Sequence, residues 1–130
     1  MPEGVGYGSQ YTASTGLGLN YIGNRVYAFS GSIAVDATEK DLLNFTTGKG
    51  AILCNIQFNY IQVTSEDFLY KVYLNDILVQ GYSVSHSNLE AQSTVIPLII
   101  PPFTTVKLTA QNTTDNNARN QLVTLTGKIV

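Results

Sequence analysis

Thr94-Val95-Ile96-Pro97-Leu98-Ile99-Ile100-Pro101-Pro102-Phe103 carries three prolines and five aliphatic residues in ten positions. A helix cannot hold it, because Ile96 and Ile100 each precede a proline and are pushed toward extended angles. An interior strand rarely tolerates Pro97, because proline donates no ladder hydrogen bond. The stretch therefore reads as an extended apolar segment at a sheet edge or in a loop, closed by a rigid Pro101-Pro102 corner. Some of Ile96, Leu98, Ile99 and Ile100 are expected to bury against another subunit as well as in their own core.

The segments on either side share its extended character. Val26 to Asp36 reads as one long strand, with Tyr27, Phe29, Gly31, Ile33 and Val35 on one face. Ala37 to Gly50 reads as a connection, in which Thr38-x-x-Asp41 has the pattern that caps a short helical turn. Gly48-Lys49-Gly50 is turn chemistry. Ala51 to Val63 is a second long strand, with Ile52, Cys54, Ile56, Phe58 and Tyr60 alternating with Leu53, Asn55, Gln57, Asn59 and Ile61. Phe68 to Leu74 and Ile77 to Val84 form a hairpin about Asn75-Asp76. Polar loops follow at Ser85 to Ser93 and Asn112 to Asn120, with strands at Phe103 to Gln111 and Gln121 to Val130. No long helical pattern and no repeat of solenoid period is present. An all-β sandwich or barrel follows.

The first 24 residues differ from the rest. Six glycines punctuate Tyr7, Tyr11, Leu17, Leu19, Tyr21 and Ile22. Glycine weakens an isolated helix or strand, while the aromatic and aliphatic residues still favour burial. We read residues 1–24 as an extended arm that orders along a neighbouring surface, and residues 25–130 as the β-sandwich domain.

Composition narrows function by exclusion. At 130 residues the chain is long enough for one domain with a real core. Only 12% of residues are charged, against 44% hydrophobic, so little charge opposes association. Net charge is −2 and the seven basic residues are scattered, which argues against nucleic-acid binding. No apolar run approaches membrane-spanning length. Met1-Pro2-Glu3-Gly4 lacks a basic region followed by an apolar one, so no export signal is expected.

The usual chemistry is missing. His86 is the single histidine and Cys54 the single cysteine, too few for an internal disulfide or a transition-metal site. No Gly-x-Ser-x-Gly is present to raise a nucleophile. Gly48-Lys49-Gly50 lacks the leading glycine and the following Ser/Thr of a phosphate loop. Glu39 with Asp41, and Glu66 with Asp67, read as solvated turn carboxylates rather than a glycosidase pair. Asp115-Asn116-Asn117 offers too little charge for calcium. Cys54, on the apolar face of its strand, reads as a buried small hydrophobe. The expectation is a protein without catalytic residues, metal or cofactor.

Four stretches carry a resemblance over most of residues 23–130. They are Gly23-Asn24-Arg25-Val26-Tyr27-Ala28-Phe29-Ser30-Gly31, Val72-Tyr73-Leu74-Asn75-Asp76-Ile77-Leu78-Val79, Ile96 through Thr104, and Val123-Thr124-Leu125-Thr126-Gly127-Lys128-Ile129-Val130. With their spacing they resemble small single-jelly-roll virion proteins, the capsid decoration, cement or minor structural proteins of tailed phages and other DNA viruses. The resemblance implies a single jelly-roll β-sandwich of about eight antiparallel strands and a non-enzymatic role. It also implies a homo-oligomer, commonly a trimer, partnered with the major capsid protein or other virion proteins. Such a protein is made in the host cytoplasm and resides on the capsid surface. A receptor- or carbohydrate-binding jelly-roll module of a viral fibre or spike is the alternative, with recognition on loops Thr64–Asp67, Ser85–Ser93 and Asn112–Asn120. The residues expected at an oligomer interface are Tyr7, Tyr11, Leu17, Leu19 and Tyr21 from the arm, and Ile96, Leu98, Ile99, Ile100 and Phe103 from the proline-rich stretch.

Overall fold

The computed structural model describes residues 18–59, 66–85 and 93–130. Among these residues ten strands run in chain order: β1 (Asn20–Ile22), β2 (Arg25–Phe29), β3 (Ile33–Val35), β4 (Lys40–Thr46), β5 (Ile52–Asn59), β6 (Phe68–Leu74), β7 (Ile77–Val84), β8 (Ser93–Ile100), β9 (Thr105–Asn112) and β10 (Arg119–Ile129). The described residues contain no helix.

The strands form two antiparallel sheets. One has the order β1-β2-β10-β5-β8, with β3 also pairing β10; the other has the order β4-β9-β6-β7. Stripped of β1 and β3, these are two four-stranded sheets, β2-β10-β5-β8 and β4-β9-β6-β7. The chain passes between them at each of β2→β4, β4→β5, β5→β6, β7→β8, β8→β9 and β9→β10. That is jelly-roll connectivity. The sheets face each other over an apolar core that takes alternate residues from each strand, among them Val26, Ile52, Ile56 and Phe58 from one sheet and Phe68, Val72, Val106 and Leu108 from the other.

Pro97 sits where its chemistry requires. Among the described residues β8 is the end strand of its sheet and pairs only β5, with Pro97 opposite Asn55. A residue without an N–H is harmless on that open side. The Asn75-Asp76 hairpin also forms as expected: both residues have positive φ, 51° and 65°, as a two-residue turn between twisted strands demands. Cys54 is buried, and desolvation pushes its thiol up to about 12.

Several expectations are corrected. The stretch Ala37 to Gly50 is not a connection with a helical turn. It holds β4, which pairs β9 with an irregularity between Asp41 and Leu43 that lets both Leu42 and Leu43 reach the core. The long strand from Val26 to Asp36 is broken at Ser30–Ser32. Gly31 takes φ +69°, and Val123 N donates to Ser30 Oγ at 2.9 Å while Ser30 N donates to Val123 O at 3.1 Å. The break changes the phase of alternation. Val26, Ala28 and Ser30 point inward before it and Val35 after it, so Tyr27 and Phe29 stand outside and do not share a face with Val35.

Glu66 is likewise no solvated turn carboxylate. It is fully buried, with Arg119 donating from Nε to Oε1 and from Nη2 to Oε2, each at 3.2 Å, and Asn117 Nδ2 donating at 3.2 Å. The fork of donors gives the desolvated carboxylate its partners and ties the loop before β6 to the start of β10. Finally, the end of the expected arm belongs to the sandwich: Leu19 is buried and β1 pairs β2. Tyr60, His86 and, of the expected recognition loops, residues 64–65 and 86–92 lie outside the described residues.

Candidate association face

The two sheets present different outward surfaces. On the four-stranded sheet the outward side chains of β6 and β9 are tied into a polar network, while Ile77, Leu78 and Val79 of the end strand β7 are exposed. Tyr73 Oη donates to Glu39 Oε2 at 2.8 Å, and Thr109 Oγ1 donates to the same oxygen at 2.6 Å. Lys71 Nζ lies 3.8 Å from Glu39 Oε1, and Lys107 Nζ sits 4.6 Å above the Tyr73 ring. Burial by itself raises the Glu39 carboxyl. The two hydrogen bonds and the nearby lysines outweigh it and hold the group below its ordinary value. The hydrogen bond to Glu39 pushes the Tyr73 phenol up. Charges of both signs, mutually satisfied, make a surface suited to water.

The six-stranded sheet is built the other way. Its register sets outward residues in three rows across the strands. One runs Ile22, Arg25, Lys128, Leu53, Ile99; the next Asn20, Tyr27, Thr126, Asn55, Pro97; the third Phe29, Thr124, Gln57, Val95. No Asp or Glu occurs in these rows, and their only charges are Arg25 and Lys128, which face each other directly across β2 and β10. Ile22, Phe29, Val95 and Ile99 are each more than half exposed. Outward faces of antiparallel sheets are ordinarily polar. An exposed face with apolar flanks on both sides and a polar centre is a surface suited to covering by a partner.

Between the first two rows lies an open cleft of about 360 Å³, lined by Arg25, Tyr27, Leu53, Asn55, Pro97, Thr126 and Lys128, with Cys54 and Gly127 at its floor. The floor depends on close strand approach. A Cβ on Gly127 would lie 2.5 Å from the Leu53 carbonyl oxygen and 2.6 Å from Cys54 Cβ, so only glycine lets β10 lie this near β5.

The corner after β8 adds a second feature. Phe103 has φ +54° and its side chain is 71% exposed. A bulky residue in the left-handed region is strained. It is held there because Phe103 N donates to Gly48 O at 2.8 Å and Thr104 N donates to Thr47 Oγ1 at 2.9 Å. The strain fixes an aromatic ring in solvent, at the end of the strand that carries Ile99.

The residues expected at an oligomer interface separate into three groups. Ile99, 62% exposed, and Phe103 are on the surface. Leu19, Ile96 and Ile100 pack into the chain's own core; Leu98 and Tyr21 are half-buried against it, and Tyr21 Oη accepts a hydrogen bond from Gly48 N at 3.4 Å. The inward alternation of β8 is the reason: residues 96, 98 and 100 share its core side, leaving 95, 97 and 99 outside. Tyr7, Tyr11 and Leu17 lie outside the described residues. Sequence reasoning missed Phe29, Leu53, Val95, Arg25 and Lys128. Val95 was within reach of it, by carrying the alternation back from Ile99 through Pro97, and so was Leu53, on the strand face opposite Cys54. Among the described residues no cluster of His, Cys, Asp and Glu could hold a metal ion.

No protein-family model matches the chain, and no curated protein matches it. Among solved structures, the chain is similar to the infectious bursal disease virus VP2 subviral particle, with a TM-score of 0.49 and 11% identity over 84% of this chain and 34% of that one. The chain thus spans about a third of that protein's length.

Proposed function

We propose that the chain is a non-enzymatic structural subunit of a virion, of the capsid decoration or cement type, and that it binds assembled protein through the outward face of its six-stranded sheet. The observation that carries this reading is the contrast between the two outward faces. One carries the Glu39, Tyr73, Thr109 and lysine network across its middle, with exposed apolar residues confined to Ile77, Leu78 and Val79 of the end strand β7. The other exposes Ile22, Phe29, Val95 and Ile99 around a centre free of acidic residues. Viral capsid subunits are among the uses of the jelly roll, and a rigid sandwich with one adhesive face needs no pocket chemistry. Lectins and cupins share the architecture, so fold alone does not assign the role; the exposed face is what supports this reading.

The test is association with assembled particles. The chain is expected in purified particles at a fixed ratio to the major capsid protein, and Phe29→Ser with Ile99→Ser is expected to abolish that association. Both side chains are exposed, so the doubly substituted chain keeps its fold, checked by its circular dichroism and thermal midpoint. A folded double variant that stays on the particles overturns the proposal.

A further inference from the structure

The charges on the association face are all of one sign. Arg25 and Lys128 stand directly opposite on neighbouring strands, an arrangement that costs stability by repulsion. Neither forms an ion pair with a described residue, and the outward rows of this sheet supply no carboxylate. The pair sits at the rim of the open cleft, beside the hydroxyl of Thr126, the amide of Asn55 and the ring of Tyr27. Two cations, two neutral polar side chains and an aromatic wall converge on one concavity.

We infer that this cleft receives a carboxylate-bearing side chain of a partner protein, seated between Arg25 and Lys128, and that the face therefore docks an acidic protein segment rather than a second copy of itself. The inference rests on the proposed association role of the face and specifies the partner's chemistry. Three considerations lead to it. A carboxylate is the group that two adjacent cations recognise, and Asn55 and Thr126 can donate to its remaining lone pairs. Pairing this face with its own copy about a two-fold axis would bring four cations together with no acid on either side. The flanks choose between a protein and an acidic sugar. Phe29, Val95, Ile99 and Ile22 are large apolar groups, three of them aliphatic, and their burial needs apolar partner surface that a sugar offers poorly.

The experiment uses the full-length ¹⁵N-labelled chain and a synthetic Val-Glu-Val-Glu-Val-Glu peptide, with Val-Lys-Val-Lys-Val-Lys and glucuronic acid as comparators. The acidic peptide is expected to give saturable amide shifts confined to residues 25–27, 53–55 and 126–128. Affinity should fall severalfold between 50 and 300 mM salt, because the contact is made by exposed charges. Arg25→Ala with Lys128→Ala should abolish the shifts, while Lys40→Ala, on β4 of the other sheet, should retain them. Removing the repelling pair should leave the thermal midpoint unchanged or higher; were the double variant to unfold, Lys128→Ala alone and the wild-type salt dependence decide. Absence of saturable binding, equal binding of the lysine peptide, or shifts that survive the double substitution overturns the inference. Tighter binding of glucuronic acid than of the peptide also overturns it, in favour of an acidic sugar. Particle association separates this inference from the reading beneath it. If Arg25→Glu with Lys128→Glu stays on particles while Phe29→Ser with Ile99→Ser is lost, the acidic key fails and the association face stands. If both stay, the face itself fails.

Discussion

Gly127→Ala probes the close approach of β10 to β5. The added Cβ would lie 2.5 Å from Leu53 O, 2.6 Å from Cys54 Cβ and 2.8 Å from Cys54 Cα. Two of these atoms are backbone, so no rotamer change relieves them. To reach an ordinary 3.4 Å contact from 2.5 Å, β10 and β5 must separate locally by 3.4 − 2.5 = 0.9 Å. Overpacking of this kind typically costs about 1–3 kcal/mol, and the backbone contacts put it at the upper end, about 3 kcal/mol. Against this, Gly127 has no positive φ, so alanine fits the backbone angles and reduces unfolded-chain entropy, a gain of about 0.4–1 kcal/mol. The net expectation is destabilisation by about 2 kcal/mol, or a fall in thermal midpoint of roughly 8 °C for a domain of this size. Urea titration and scanning calorimetry measure it. Gly81→Ala in β7 is the control, because nothing lies within 4 Å of its Cβ position and its φ is not positive; that change is expected to stabilise by a few tenths of a kcal/mol to about 1 kcal/mol. An unchanged or raised midpoint for Gly127→Ala would refute the close-approach argument, and with it the account of the cleft floor.

Other expectations follow from local geometry. Phe103→Asn should relieve left-handed strain and raise stability by about 1 kcal/mol, while weakening particle association by removing an exposed ring; a fall in thermal midpoint would show that the ring supports the fold. Cys54 should resist a thiol reagent at pH 8 in the native chain and react fully in denaturant, since burial pushes its thiol to about 12; rapid native labelling would contradict that burial. The Glu39 carboxyl is held below its ordinary value of 4.5, so its contribution is present above that value and is lost as pH falls through the lowered folded value. Stability measured between pH 6 and 3 should therefore decline less steeply in Glu39→Gln than in the parent chain, and parallel slopes would sink the linkage.

Much of the fold was legible because period-two alternation reports directly on half-buried strands. β5, β6, β7, β9 and β10 stand close to the positions that pattern predicts, and the Asn75-Asp76 turn could be read from residue type. β4 was missed because its core residues Leu42 and Leu43 are adjacent, which breaks alternation; the irregular pairing against β9 that accommodates them is visible only once β9 is beside it. Glu66 was misread because a carboxylate in a polar turn is ordinarily solvated, and its partner Arg119 lies 53 residues away. The association face was the least legible part. Its rows combine residues from β1, β2, β10, β5 and β8, and no local signal marks Phe29 as a neighbour of Thr124 or Arg25 as a neighbour of Lys128.

The sequence by itself determined the all-β class, through alternation, and restricted the Pro97 stretch to a sheet edge or a loop, through the missing N–H. Both are properties of a few consecutive residues, so no distant partner is needed to state them. The tertiary structure decided which residues of a strand face the core. Val26 to Phe29 offers two alternating faces, Val26 with Ala28 or Tyr27 with Phe29, and hydrophobicity favours the aromatic one. The break at Gly31, held by Ser30 on Val123 of β10, reverses the phase and turns the aromatics outward. Inward and outward are defined only by the second sheet and by cross-strand register, and both are set by contacts between residues far apart in the chain.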